Sequence, residues 1–470
     1  MKPKYRWYRH CEILCEVLQK VADGKIKRLM VFMPPRHGKS ELISRLFSAY
    51  FLYLYPERWV AVTSYAADLA YTLSRSAQEN YLAAGAPIKG SASAVKHWET
   101  GLGGGFWAAG VGGPATGKGW HLGIIDDPLK NAEQAASNTI REKQKEWDGS
   151  TWATREEPWS DDDANGAEII VLTRWHEDDI AGYRLAQEAA LVAEEDGDEE
   201  PERYHIVCME AIKEEGQVEV PSSCTIEPDW RTVGEALCPE RRPLAKLKRI
   251  AKRIGDYFFS ALFQQKPAPS GGGMLKRSWF RTITVDQVPP LRKSAVGIDL
   301  AVTAKSTADY TVAFPLGIDK EGNYYLFRPA RGQWLPPDAR REIITRVKTF
   351  GIARRIGAES VAAQSGYVAE LRLEPGMAGY AVVDIGRTGD KVLLAATWSP
   401  VLAQGRFYLV DDGSGWVETF LKECEQFPRG RNDDQIDAVG IAFETLRQVP
   451  EEATYTPGMA AGNMMLGRSS

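Results

Sequence analysis

The chain has 470 residues, 44% hydrophobic and 26% charged, a profile that suits two or three compact units and excludes disordered and fibrous classes. Its net charge of -5 excludes a protein that coats nucleic acid through bulk positive charge, so any contact with DNA has to be local. The six cysteines (Cys11, Cys15, Cys208, Cys224, Cys238, Cys424) show no metal-binding spacing and read as reduced thiols, and no apolar run approaches roughly 18 residues, so a cytosolic protein without a membrane span is expected.

Ile13, Leu14, Val17, Leu18 and Val21 recur at helical spacing, and Arg28–Met33 follows as a short buried strand. A helix is expected over Glu41–Tyr55, with strands at Trp59–Ser64, Leu122–Asp126 and Glu168–Thr173. Strands alternating with helices imply a mostly parallel sheet. Gly101–Gly119 holds nine glycines and reads as a mobile loop. The acidic stretches Glu156–Asp163 and Glu194–Glu202 read as solvated loops. Arg241–Arg253 carries seven basic residues on a helical pattern, read as a solvated face in preference to a DNA-facing one. Pro267–Gly273 (PAPSGGG) suits a linker. Strands are then expected at Ser294–Asp299, Thr311–Leu316, Tyr324–Arg328, Arg355–Glu359, Tyr380–Ile385 and Arg406–Leu409. Helices are expected at Pro337–Phe350, Val368–Leu373, Lys391–Leu402 and Asp434–Leu446, an order like that of ribonuclease H. The boundaries expected are a first unit over 1–255, a linker over 256–290, a second unit over 291–450 and a flexible tail over 451–470.

Met33-Pro34-Pro35-Arg36-His37-Gly38-Lys39-Ser40 matches the end of the G-x-x-x-x-G-K-[ST] pattern between a strand and a helix, as phosphate binding requires. Gly38 admits close backbone approach, and the helix N-terminus offers unpaired N–H groups. Lys39 neutralises the β- and γ-phosphates and Ser40 ligates Mg²⁺. Pro35, Arg36 and His37 belong to the same ATP-binding loop, with Met33 where the first glycine usually stands. Leu122–Asp127 is an apolar strand ending in two carboxylates, Asp126 for the metal and Asp127 to orient and deprotonate the attacking water. Thr173, at the polar end of a third strand, is placed to sense the γ-phosphate. His176 reads as a structural histidine, and Lys118 as a solvated lysine in preference to a cation acting in trans.

Asp299 and Glu359 end apolar strands, and Asp433, Asp434 and Asp437 open a helix. Asp434 and Asp437 are three apart and share one helix face. Strand-end acids meeting helix acids would repel unless Mg²⁺ or Mn²⁺ neutralised them, which points to a two-ion nuclease whose third ligand comes from Asp433, Asp434 or Asp437. Asp309 reads equally as a supporting acid or a turn residue.

The segments MPPRHGKSE (Met33–Glu41), SYAADLA (Ser64–Ala70), IIDDPL (Ile124–Leu129), LTRWHEDD (Leu172–Asp179), YFFSALFQQ (Tyr257–Gln265) and DDQIDA (Asp433–Ala438) make the chain resemble the large terminase subunit of tailed bacteriophages over about residues 5–450. The resemblance implies an α/β protein in which an N-terminal ASCE-like P-loop NTPase is joined to a C-terminal ribonuclease H-like nuclease. It implies ATP and Mg²⁺ as cofactors, double-stranded DNA as substrate, and a ring, usually a pentamer, acting in the host cytoplasm with a portal protein and a small terminase subunit. Two readings compete with it: a chromosomal helicase or repair ATPase whose C-terminal domain only binds DNA, and a nucleotide-regulated scaffold without turnover.

Overall fold

The computed structural model describes residues 6–113, 117, 119–160, 163–194, 200–216, 218–267, 274–300, 310–350, 355–359, 365–385, 391–428 and 432–448. Lys118, Asp309, residues 268–273 and the tail Glu451–Ser470 lie outside them. The chain divides into two units, Met1–Lys252 with Tyr257–Pro269, and Arg253–Asp256 with Ser270–Ser470.

The first unit contains α1 (Arg9–Ala22), β1 (Arg28–Phe32), a π-type turn (Glu41–Phe47) running into α2 (Ser48–Leu54), β2 (Trp59–Ser64), α3 (Ala67–Ala83), β3 (Ile88–Ala94), β4 (His97–Thr100), β5 (Gly105–Gly110) and β6 (Leu122–Asp126). It continues through α4 (Ala132–Ala136), α5 (Asn138–Trp147), β7 (Ala167–Leu172), α6 (Ile180–Ala193), β8 (His205–Cys208), β9 (Thr225–Ile226) and α7 (Leu244–Leu262). The nine strands form one sheet in the order β3-β4-β5-β2-β6-β7-β1-β8-β9. The strands from β5 to β9 pair in parallel, and β3, β4 and β5 pair antiparallel. Both faces are covered: Leu29 and Val31 of β1 enter one core with α1 and α3, while Met30 and Phe32 enter the other with Trp107, Trp120, Trp147 and Trp152. A fully buried parallel strand reads as an unbroken apolar run for this reason.

The glycine-rich stretch is not a loop throughout. Gly105–Gly110 is a buried strand paired with β2. A Cβ on Gly104 would lie 2.2 Å from the Arg58 carbonyl oxygen, and one on Gly105 would lie 2.4 Å from that of Trp98, so these glycines serve close backbone approach. The acidic stretches are also not wholly solvated. Arg28 is buried and its guanidinium pairs with Glu156 at 3.0 Å and Glu202 at 2.5 Å. In the basic segment, Lys246, Lys248, Arg249, Lys252 and Arg253 are exposed, and Gly255 (φ 81) interrupts α7.

The second unit contains β10 (Phe280–Thr284), β11 (Lys293–Asp299), β12 (Thr311–Ile318), β13 (Tyr324–Leu326), β14 (Ala330–Gly332), α8 (Pro336–Phe350), β15 (Arg355–Glu359), α9 (Ser365–Leu373), β16 (Ala381–Ile385), α10 (Lys391–Leu402), β17 (Phe407–Asp411), α11 (Trp416–Gln426) and α12 (Asp434–Arg447). Its strand order is β10-β17-β13-β12-β11-β15-β16, with β14 also paired to β12. The segment expected as a linker, 256–290, contains regular elements. Tyr257–Leu262 completes α7, and Phe280–Thr284 is an edge strand paired with β17 residue for residue from Phe407 to Asp411.

Two glycines set the position of α12. A Cβ on Gly297 would lie 2.0 Å from the Ala438 carbonyl oxygen, and one on Gly357 would lie 1.9 Å from Thr445 Oγ1. Their absence of side chain lets α12 lie directly on β11 and β15, whose last residues are Asp299 and Glu359.

Candidate active sites

In the first unit the sheet order decides which groups meet. β7 lies between β1 and β6, so the phosphate loop after β1, Thr173 after β7 and the acids ending β6 share one edge. Gly38 (φ 94) and Arg36 (φ 65) turn the loop through left-handed conformations. Lys39 Nζ lies 2.9 Å from Asp127 Oδ2 and donates to Thr173 Oγ1 at 2.5 Å. The Thr173 N–H donates to Asp127 Oδ1 at 2.9 Å, so Asp127 bridges the lysine and the end of β7. Asp127 itself has φ 44, a strained value for a residue with a Cβ. Ser40 Oγ and Ser44 Oγ donate to the two oxygens of Asp126 at 2.9 and 2.5 Å. Burial and the neighbouring Asp127 push the Asp126 carboxyl up to about 6. A buried carboxylate held by a hydroxyl from the phosphate loop fits a Mg²⁺-nucleotide site, because a cation there would relieve that repulsion.

The other loop residues divide. Arg36 is exposed, whereas His37 is buried, with Nδ1 3.1 Å from the Pro35 carbonyl oxygen and its own carbonyl 3.0 Å from His10 Nε2. Burial lowers His37 to about 4, so at neutral pH it is an uncharged brace of the loop. His176 accepts the Asp178 N–H at 3.0 Å within its own turn.

In the second unit Asp299, Glu359 and the start of α12 come together. Burial, then Asp437 and Asp434, raise the Asp299 carboxyl well above the usual range. Burial and Asp433 push Asp437 up to about 8, and burial and Glu423 push Asp434 up to about 6. Asp437 Oδ1 is buried without a hydrogen-bond partner. Crowded hard oxygen donors with an orphaned carboxylate oxygen fit a divalent cation. Among the described residues, however, no three acids, histidines or cysteines converge closely enough to hold an ion as they stand. Lys391 is a cation in their field, bonded to Asp433 and 3.9 Å from Asp437.

Residues 296–446 match the family model described as "Terminase RNaseH-like domain". Over those residues the second unit is similar to terminase RNase H-like domains. The match bears out the resemblance to large terminase subunits carried by the sequence motifs. No curated protein matches the chain. Among solved structures, the large terminase of a thermophilic bacteriophage in complex with ATP-gamma-S is 10% identical, covering 92% of this chain and 98% of that one at a TM-score of 0.45. The large terminase of bacteriophage HK97 is 13% identical, covering 94% and 95% at 0.34. The nuclease of the large terminase of thermophilic phage G20c with bound magnesium is 14% identical, covering 37% and 98% at 0.29.

Three residues at these sites carry no sequence signal of their own. Ser44 follows Ser40 by one turn inside an apolar helix pattern. Glu423 of the terminase-type domain is buried on α11 and accepts from the Gln435 N–H at 2.8 Å and Gln435 Nε2 at 2.7 Å, which ties down the first turn of α12. Lys391 opens α10 after a Gly-containing stretch, 42 residues from its partner Asp433. Only the folded chain brings these groups to the sites.

Proposed function

We propose that the chain is the large subunit of a viral DNA-packaging terminase, which hydrolyses ATP to drive double-stranded DNA into a capsid precursor and cuts the DNA at the RNase H-like site. The single observation that carries this reading is the terminase-type domain following, in the same chain, a phosphate loop whose Lys39 faces Asp127 and Thr173 at 2.9 and 2.5 Å. A helicase with a DNA-binding C-terminal domain gives no reason for gathering Asp299, Asp434 and Asp437 within one another's field.

In this reading Lys39 and the loop N–H groups bind the phosphates, and Ser40 and Asp126 hold Mg²⁺. ATP draws Lys39 away from Asp127, which frees that carboxylate to orient the attacking water. Thr173 bonds both Lys39 and Asp127, so it registers the exchange and passes it to the Arg174–Asp179 pair, 2.7 Å apart. At the second site Asp299, Glu359 and the α12 acids would hold divalent ions, which would supply an activated water and stabilise the leaving oxygen. The chain's own part is to fix these half-buried carboxylates through Gly297, Gly357 and Glu423. The substrate is double-stranded DNA, the working form is a ring on a portal protein, and a small terminase subunit selects the DNA. ATP-dependent protection of DNA from nuclease by purified empty capsids, portal and this chain tests the reading. No protection with ATP, or equal protection without it, overturns it.

A further inference from the structure

Lys391 begins α10, and its ammonium bonds to Asp433 and stands 3.9 Å from Asp437 Oδ2. These are two of the acids that the two-ion reading assigns to the nuclease site. The lysine side chain is 55% exposed, while Asp433 and Asp437 are 17% and 13% exposed, so the cation reaches in from solvent to acids that are largely covered. The second oxygen of Asp437 is buried and receives no hydrogen bond. The lysine therefore satisfies Asp433 and approaches Asp437 from the solvent side, and leaves the inner oxygen of Asp437 untouched. A compact ammonium on a flexible four-carbon stem can leave such a position by rotating into water.

We propose that Lys391 is the built-in counter-cation of this acid cluster, and that divalent ions enter by displacing its ammonium from Asp433 and Asp437. The proposal rests on the two-ion reading of the site and adds the exchange step. The lysine lets the crowded acids of β11 and α12 fold together without an ion. It also competes with the ion, which keeps the site from loading at low metal concentration. No covalent bond changes, and the ammonium keeps its proton and passes to solvent.

The test is calorimetric titration of MnCl₂ into the EDTA-treated, dialysed full chain and its Lys391→Met and Lys391→Arg variants. Methionine keeps the apolar stem without the charge, so Mn²⁺ should bind more tightly by up to about fivefold, the factor equivalent to losing one partly exposed ion pair. Arginine keeps the charge and should bind no more tightly than the wild type. Equal or weaker binding by Lys391→Met overturns the exchange alone, as does equally tightened binding by Lys391→Arg. Absence of Mn²⁺ binding in every protein overturns the two-ion reading and the exchange with it. Amine acetylation followed by peptide mass spectrometry reads the same step in the wild-type chain, independent of how the variants fold. Labelling of Lys391 should rise at least about twofold on adding Mn²⁺, in proportion to its release from the ion pair, and unchanged or reduced labelling overturns the exchange.

Discussion

Lys39 Nζ lies 2.9 Å from Asp127 Oδ2, so the phosphate-loop cation and the acid proposed to activate water neutralise each other directly. The same carboxylate accepts the Thr173 N–H through its other oxygen. In the proposed mechanism nucleotide binding would therefore also activate Asp127, because the lysine cannot hold phosphate and the acid equally well.

Lys39→Ala is expected to abolish ATP hydrolysis. Asp127→Asn keeps the side chain's shape and is expected to retain nucleotide binding while hydrolysis falls by roughly 10²- to 10⁴-fold, the usual contribution of a general base. Phosphate release and binding of a fluorescent nucleotide check the pair. Asp127→Asn turning over at the wild-type rate would remove Asp127 from the chemistry.

Gly297→Ala places a methyl group 2.0 Å from the Ala438 carbonyl oxygen and 2.4 Å from the Ala442 nitrogen, both backbone atoms. α12 must move away from β11, at an expected loss of about 1–3 kcal/mol in stability. Metal-dependent cleavage should fall with it, since Asp434 and Asp437 ride on that helix. Urea denaturation and plasmid cleavage measure the two effects, and an unchanged midpoint would contradict the packing described.

His37 links pH to stability in the first unit. Its folded value is depressed to about 4 from 6.5 by burial first, with His10 and Arg242 adding repulsion and the Pro35 and Pro34 carbonyls opposing it. The unfolded chain therefore binds the proton more readily. The stabilisation is fully present above about pH 6.5 and is lost as pH falls toward 4, up to about 3 kcal/mol. His37→Gln should flatten this part of the stability curve, measured by denaturation between pH 7 and 4 with a roughly 1 M step in urea midpoint as the scale. An equal slope in the variant would assign the effect elsewhere.

The strand-end placement of the candidate residues was legible in the sequence. Asp126, Thr173, Asp299 and Glu359 each follow an apolar run, and such runs mark buried strands whatever their neighbours are. What the sequence hid was the result of side-by-side packing. β3 (IKGSASA) is exposed along most of its length and lacks an apolar pattern, and β10 (FRTIT) is a five-residue edge strand inside an apparent linker. The buried glycines of β5 looked like a loop because backbone crowding by Arg58 and Trp98 is a tertiary fact. Glu156 looked solvated because its partner, Arg28, lies 128 residues away, whereas Glu202 is exposed as expected while it pairs with the same arginine. Lys391 was invisible for the same reason.

The most direct measurement is metal-dependent cleavage of supercoiled plasmid by the purified chain, compared among the wild type, Asp299→Asn, Glu359→Gln and Lys39→Ala. Two independent sites in one chain predict cleavage with Mg²⁺ or Mn²⁺ that is lost in Asp299→Asn and Glu359→Gln and retained in Lys39→Ala, while ATP hydrolysis shows the reverse pattern. Cleavage that persists undiminished in both Asp299→Asn and Glu359→Gln would contradict the nuclease assignment.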